Sequence, residues 1–171
     1  MIIRILTAHD AASFQALRLR GLIECPDAFA SSYEEEVDTA IGEVAKRLEA
    51  NPDKAVFGSF VEENLDGVIG LRREGMQKLR HKAQIWGMYV APEVRRGGHG
   101  RALMQCAMEN ARRMSGVEQV NLGVNARNEA ARALYEGLGF TSFGIEKGSL
   151  KIGEVAHDEH HMVWRVTGRG G

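Results

Sequence analysis

Val90-Ala91-Pro92-Glu93-Val94-Arg95-Arg96-Gly97-Gly98-His99-Gly100-Arg101-Ala102-Leu103 holds the residues of this chain best suited to chemistry. Glycine occupies positions 97, 98 and 100. Glycines tolerate positive φ, so consecutive N–H groups can converge on one point. A helix starting straight after them adds unpaired N–H groups and the positive end of its dipole. Arg95, Arg96 and Arg101 add full charges. The chemistry these residues offer is the seating of a phosphate or pyrophosphate. Two common nucleotide motifs are excluded. G-x-x-x-x-G-K-[ST] is absent, and Gly98-x-Gly100 is followed by Arg-Ala-Leu rather than by the pattern G-x-G-x-x-G. A soluble glycine- and arginine-rich turn is the plain alternative.

A second segment, Asn125 to Phe140, strengthens the chemical reading. Asn128 suits the N-cap of a helix. Ala131, Leu134 and Leu138 give that helix an apolar face, and Gly139 suits a left-handed cap at its end. Asn128 and Tyr135 lie seven residues apart, so both project from one face. Taken alone, Tyr135 reads as an amphipathic core residue with its hydroxyl at the rim.

The two segments together resemble the GNAT family of N-acetyltransferases. Val90-x-Pro92 followed by Arg95-Arg96-Gly97-Gly98-His99-Gly100 matches the family's [RQ]-x-x-G-x-[GA] loop. Asn128, Ala131, Leu134, Tyr135, Gly139 and Phe140 match N-x-x-A-x-x-L-Y-x-x-x-G-F. Arg96 departs from the pattern, because many members have glycine there. The resemblance implies acetyl-CoA as acyl donor, held by Met88, Val90, Arg95, Arg96, Gly97, Gly98, His99, Gly100, Arg101, Asn128 and Tyr135. It also implies a bulge in the strand Ile85 to Val90, which splays from the next strand and offers its main chain to the pantetheine arm. A backbone N–H of Met88 or Val90 would polarise the thioester carbonyl. Attack by a primary amine of a small molecule or peptide would be direct, with Tyr135 as the acid toward the departing thiolate. A phenol with a reference pKa near ~10 remains protonated at neutral pH.

The general base is less legible. Family members often carry Glu on the strand before the loop, but Ala83-Gln84-Ile85-Trp86-Gly87-Met88-Tyr89 has no carboxylate. Glu34, Glu35 and Glu36, or Asp158 and Glu159, remain, with Glu35 ranked first. Tyr33, Glu34, Trp86 and Glu159 are expected around the acceptor, and the acidic loop suits a cationic amine. His157-Asp158-Glu159-His160-His161 reads as a strand with polar rim residues, so no metal is expected. Two rival functions are a CoA-binding regulatory module and an enzyme for a longer acyl donor, with Trp86 and Met88 shaping its pocket.

The bulk properties agree with such an enzyme. The chain has 171 residues and a net charge of −1, which gives no general basic field for nucleic acid. No apolar run approaches a membrane span, and the first residues do not read as a signal peptide. Cys25 and Cys106 stand alone, as suits free thiols in a reducing cytoplasm. A strand (Ile2–Leu6) is followed by helices around Phe14 to Leu22 and Ile41 to Leu48, with an irregular Cys25–Asp38 between them. Strands follow at Ala55–Val61, Val68–Arg73 and His81–Val90, with Asn64 to Gly67 as the hairpin turn. A helix over Arg101–Arg113, a strand over Val120–Val124, a helix over Glu129–Leu138 and strands at Phe140–Ile145 and Val155–Val166 complete the order β-α-α-β-β-β-α-β-α-β-β. That order predicts an α/β fold like that of the GNAT family: a mixed, mostly antiparallel sheet flanked by helices, one domain over residues 1–166, and a flexible tail over 167–171. The resemblance also allows a homodimer.

Overall fold

A computed structural model describes residues 1–166, so the tail expected at 167–171 lies outside the described residues. Seven strands form one sheet: β1 (Ile2–Ile5), β2 (Lys54–Val61), β3 (Asn64–Arg73), β4 (Lys82–Val90), β5 (Gln119–Asn125), β6 (Thr141–Ile152) and β7 (Val155–Arg165). Their spatial order is β1-β2-β3-β4-β5-β7-β6. Every neighbouring pair is antiparallel except β4 with β5. The expected element order recurs, with one added short helix.

Alternation along the strands sends side chains into two layers. On one face, α1 (Ala11–Glu24) and α3 (Ile41–Leu48) bury Phe14, Leu17, Leu22, Val44 and Leu48 against Val56, Phe60, Val68 and Tyr89. On the other, α4 (His99–Arg113) lays Leu103, Met104, Ala107 and Ala111 over Phe57, Ile69, Leu71 and Ile85. Helix α5 (Glu129–Glu136) adds Tyr135 to that second layer.

Strict alternation fails at one place in β4. Trp86 and Tyr89 both belong to the α1 layer, whereas Ile85, Met88 and Val90 belong to the α4 layer. An odd step of three can keep a residue on its face only if the strand carries one extra residue. The pairing shifts there, from Val68↔Tyr89 to Gly70↔Trp86. Gly87 sits in the bulge at φ +63°, a conformation that glycine takes without strain.

Three local expectations are corrected. The β2–β3 hairpin turns at Glu62-Glu63, with Val61 opposite Asn64, not at Asn64 to Gly67. Asp66 and Gly67 lie in β3, where the Asp66 carboxylate accepts the Val61 N–H at 3.2 Å. Strand β6 runs on to Ile152; as an edge strand it is held by its backbone, and the polar run Glu146 to Ser149 ahead of Leu150 and Ile152 hides its continuation. The segment expected to be irregular contains α2 (Tyr33–Glu36). Its start is a capping box, with the Glu35 carboxylate accepting the Ser32 N–H at 2.7 Å.

This segment is fastened to α1 by a largely buried ion pair. Arg18 donates to Glu36 at 2.9 Å and to the Ser31 hydroxyl at 2.8 Å, and its guanidinium lies 4.5 Å from the Phe29 ring centre. Only 10 % of the Arg18 side chain and 12 % of the Glu36 side chain is exposed, so neither charge has water as an alternative partner. Burial pushes the Glu36 carboxyl up, but hydrogen bonds from Arg18 and Ser31 outweigh it and hold the group below its ordinary value. Arg18→Met should cost about 3 kcal/mol in urea denaturation at neutral pH, since it strands Glu36. A depressed folded pKa stabilises fully above the unfolded value near ~4.3, and the effect fades as pH falls through the folded value. Glu36→Gln should therefore flatten the loss of stability in that acidic window, as measured by denaturation at stepped pH.

Candidate functional site

Strands β4 and β5 pair only at Lys82↔Gln119, Ala83↔Val120 and Gln84↔Asn121. Beyond Gln84 they part. The gap is a cleft of about 910 Å³ between Ile85–Val90 on one side and Leu122–Asn125 on the other. The glycine-rich loop closes one end, and Asn128, Ala131, Leu134 and Tyr135 of the α5 segment line a wall. Parting leaves main-chain groups of both strands without each other, and such groups need another partner.

At the loop end, Arg95 donates to the Val90 carbonyl at 2.9 Å and lies 5.8 Å from the Tyr89 ring centre. Arg96 takes the left-handed φ of +65°. This explains why glycine is common at that position in the resembling family, and shows that the local turn survives arginine at a cost in strain. Gly98, at φ +85°, is the N-cap of α4, and a side chain there would meet open space. The first helical hydrogen bond of α4 runs from Ala102 N–H to Gly98 C=O at 3.0 Å. The amides of His99, Gly100 and Arg101 precede it and have no acceptor within the helix. The His99 ring itself points inward, with Nδ1 2.6 Å from Ser59 Oγ in the core. Its side chain therefore anchors the helix start to β2, and its backbone N–H stands among the amides of the first turn. Gly100 lets α4 approach closely, since a methyl there would stand 3.1 Å from Met88 Cε and 3.4 Å from Leu134 Cδ2.

At the α5 wall, the Asn128 side chain accepts the Ala131 N–H at 3.1 Å, and Gly139 closes the helix at φ +94°. Tyr135 is buried, and its hydroxyl donates to Met88 Sδ at 3.4 Å. Burial pushes the phenol up to about 12. The structure thus brings Arg95, Arg96, the Gly98–Arg101 run, Met88, Val90, Trp86, Asn128 and Tyr135 to one cleft, while Gly97 does not line it and spends its N–H on the Val94 carbonyl.

The acidic loop is not brought there. Glu35 serves as a cap, Glu34 is exposed, Glu36 is paired with Arg18, and Tyr33 packs against the α1 layer. Their corrected places follow from the capping box Ser32-x-x-Glu35, a signal present in the sequence. Cleft residues without a local signal are Cys25, Asp27 and Phe29, which follow α1, together with Asn125 and Arg127. The Asn125 amide donates to the Asp27 backbone carbonyl at 3.1 Å and to its carboxylate at 3.2 Å, pinning the segment after α1 to the end of β5. Glu159 lies at the side, in a smaller cavity described below. Asp158 is occupied by Lys147 at 2.7 Å and by the Gly148 N–H at 2.9 Å. Glu146, Glu159 and His161 bring ligand-type atoms within 4.8 Å of one another. Among the described residues, no helix is long and apolar enough to cross a membrane.

Residues 22–140 match the model of the acetyltransferase (GNAT) family, and the chain belongs to that family. It is 28 % identical over 143 residues to the mycothiol acetyltransferase of Thermobispora bispora, a match covering 81 % of this chain and 45 % of that protein. The chain thus spans under half the length of this relative. Among solved structures, a GNAT-family acetyltransferase from Streptococcus pneumoniae superposes with a TM-score of 0.87 at 21 % identity, covering 96 % of this chain and 98 % of the other. A phosphinothricin acetyltransferase from Sinorhizobium meliloti, solved in complex with AcCoA, superposes with a TM-score of 0.82 at 19 % identity, covering 96 % and 88 %. At these identities the structural likeness is one of fold.

The left-handed Arg96 generates a test of the loop. Arg96→Gly should relieve backbone strain and raise stability by about 0.5–1 kcal/mol after the added chain entropy of glycine, measured by denaturant unfolding.

Proposed function

We propose that the protein is an acetyl-CoA-dependent N-acetyltransferase that transfers the acetyl group directly to a primary amine of a small molecule or peptide. One observation carries this reading: the parted β4 and β5 edges, the free amides at the start of α4 and the Tyr135 hydroxyl all open on one cleft. The residues suit the donor. The amides of His99, Gly100 and Arg101 with the Arg95, Arg96 and Arg101 charges would hold its pyrophosphate. The main chain of Met88 and Val90 would meet its pantetheine arm as an added strand does. Asn128 would border that arm from α5.

Acetyl-CoA supplies an acyl group activated as a thioester. The protein supplies position and one proton. Tyr135 keeps its proton across the working pH range, because burial raises its pKa to about 12. It therefore holds a proton that it can offer the departing thiolate as a hydrogen bond, and it cannot act as the base toward an ammonium. The Met88 thioether is a weak acceptor, so the hydroxyl can leave it for a better one. The two free thiols, Cys25 and Cys106, suit a reducing cytoplasm.

Tyr135→Phe should lower turnover about 100-fold while CoA affinity changes little, as read by thiol release and calorimetry. Unchanged turnover at saturation would remove Tyr135 from the acid role. Gly98→Glu sets a bulky anion in the open space beside the amides and should abolish CoA binding. Normal CoA binding by that variant would sink the loop assignment, and CoA binding by the wild type without thiol release from any amine would point to a binding module.

A further inference from the structure

We infer that the acceptor amine is a small cation that enters through a second cavity, and that Glu159 removes its proton. The inference rests on the acetyl-transfer reading. The cavity, of about 300 Å³, shares Leu122 and Gly123 with the main cleft. These residues stand just past the last β4–β5 pair, Gln84↔Asn121, where the strands begin to part. Gly123 has no side chain, so at that residue the wall common to the two spaces is bare backbone, beside the buried Leu122 side chain. The Glu159 carboxylate lies against that wall; a methyl group at Gly123 would overlap it.

The position is set by register. On β7, His161 pairs with Gly123 and Glu159 with Asn125. One Glu159 oxygen, Oε2, accepts the Ser149 hydroxyl at 2.9 Å, and Oε1, the atom nearest Gly123, accepts no hydrogen bond from the described residues. His161 Nε2 lies 2.8 Å from Glu146 Oε2, and the Glu146 side chain is 55 % exposed. With ligand-type atoms of all three within 4.8 Å of one another, the set leads from the wall to water. Glu74 also lines the cavity, with Lys82 as the opposing charge. Of the other carboxylates, Glu35 and Glu36 are engaged away from the clefts and Asp158 is paired, while Asp27 is the competitor within the main cleft.

The proton balance is closed. An ammonium, R–NH3⁺, first gives one proton to Glu159. The resulting amine forms a C–N bond as the C–S bond breaks, and it loses a second N–H proton. The thiolate takes one proton from Tyr135, which is reprotonated from the pool released by the amine. The net result is an amide, a thiol and one proton released from Glu159 to solvent.

The test uses 1,5-diaminopentane and glutarate, a cation and an anion of equal length. Ligand-observed NMR on the CoA-loaded protein should show the diamine binding and glutarate failing to bind, with Glu159→Gln weakening the diamine about tenfold. Glu159→Gln should lower diamine turnover about 100-fold near pH 7, and the deficit should shrink toward pH ~10, where the amine is free without a base. Gly123→Ala, which keeps the carboxylate but displaces it, should show the same pH-dependent deficit. A deficit equal at all pH values, no deficit, glutarate binding in preference to diamine, or transfer of the pH signature to Asp27→Asn would overturn the assignment. CoA affinity should be unchanged in Glu159→Gln. Absence of CoA binding by the wild type would instead overturn the acetyl-transfer reading, and this assignment with it.

Discussion

The structure depends on a failure of pairing. Strands β4 and β5 begin as a parallel pair and separate after Gln84↔Asn121. A parallel pair that continued would satisfy both edges and leave no cleft. Separation is made tolerable by the bulge at Gly87, which turns β4 without releasing it from β3. The same bulge decides which side chains see the gap. It keeps Met88 on the α4 side, within reach of Tyr135, while holding Trp86 and Tyr89 in the α1 layer. Regular alternation would send Met88 to the face of Trp86 and remove the neighbour that meets the Tyr135 hydroxyl.

The two faces of the sheet then take different work. The α4–α5 face carries fixed positive potential: helix amides, three arginines and a left-handed loop. The opposite face, where β7 lies beside β5, carries the Glu159 carboxylate and the His161 imidazole. Only bare or small backbone separates these environments at Gly123. An anionic donor and a cationic acceptor would be drawn to different sides of one sheet and meet where it is thinnest.

Local features of the site were legible in the sequence, and non-local ones were not. Gly97, Gly98 and Gly100 next to arginines, and Asn128 through Gly139, announce loop, cap and helix within a few residues of chain. The chain order of helices and strands was legible for the same reason. The acidic loop was misplaced because charge density was read as proximity to substrate, whereas Ser32 and Glu35 spend their polar groups on starting a helix. The length of β6 was hidden because an edge strand needs backbone partners rather than apolar residues. Asp27 and Asn125 meet across a separation of 98 residues, which no local pattern can report. The position of Glu159 depends on register: strand alternation gives its face, but only the pairing of β7 with β5 sets it against a glycine.

Arg96 shows how these levels interact. A residue other than glycine in the left-handed region costs about 1–2 kcal/mol, and an isolated turn would select against it. The turn persists because its surroundings over-determine it. Gly97 N–H reaches the Val94 carbonyl at 3.2 Å, Arg95 is tied to Val90, and His99 is locked to Ser59 in the core. With both flanks anchored, Arg96 cannot relax without moving the start of α4. The arginine therefore adds charge to the start of α4 at the expense of backbone strain, while the His99–Ser59 contact keeps that start in shape.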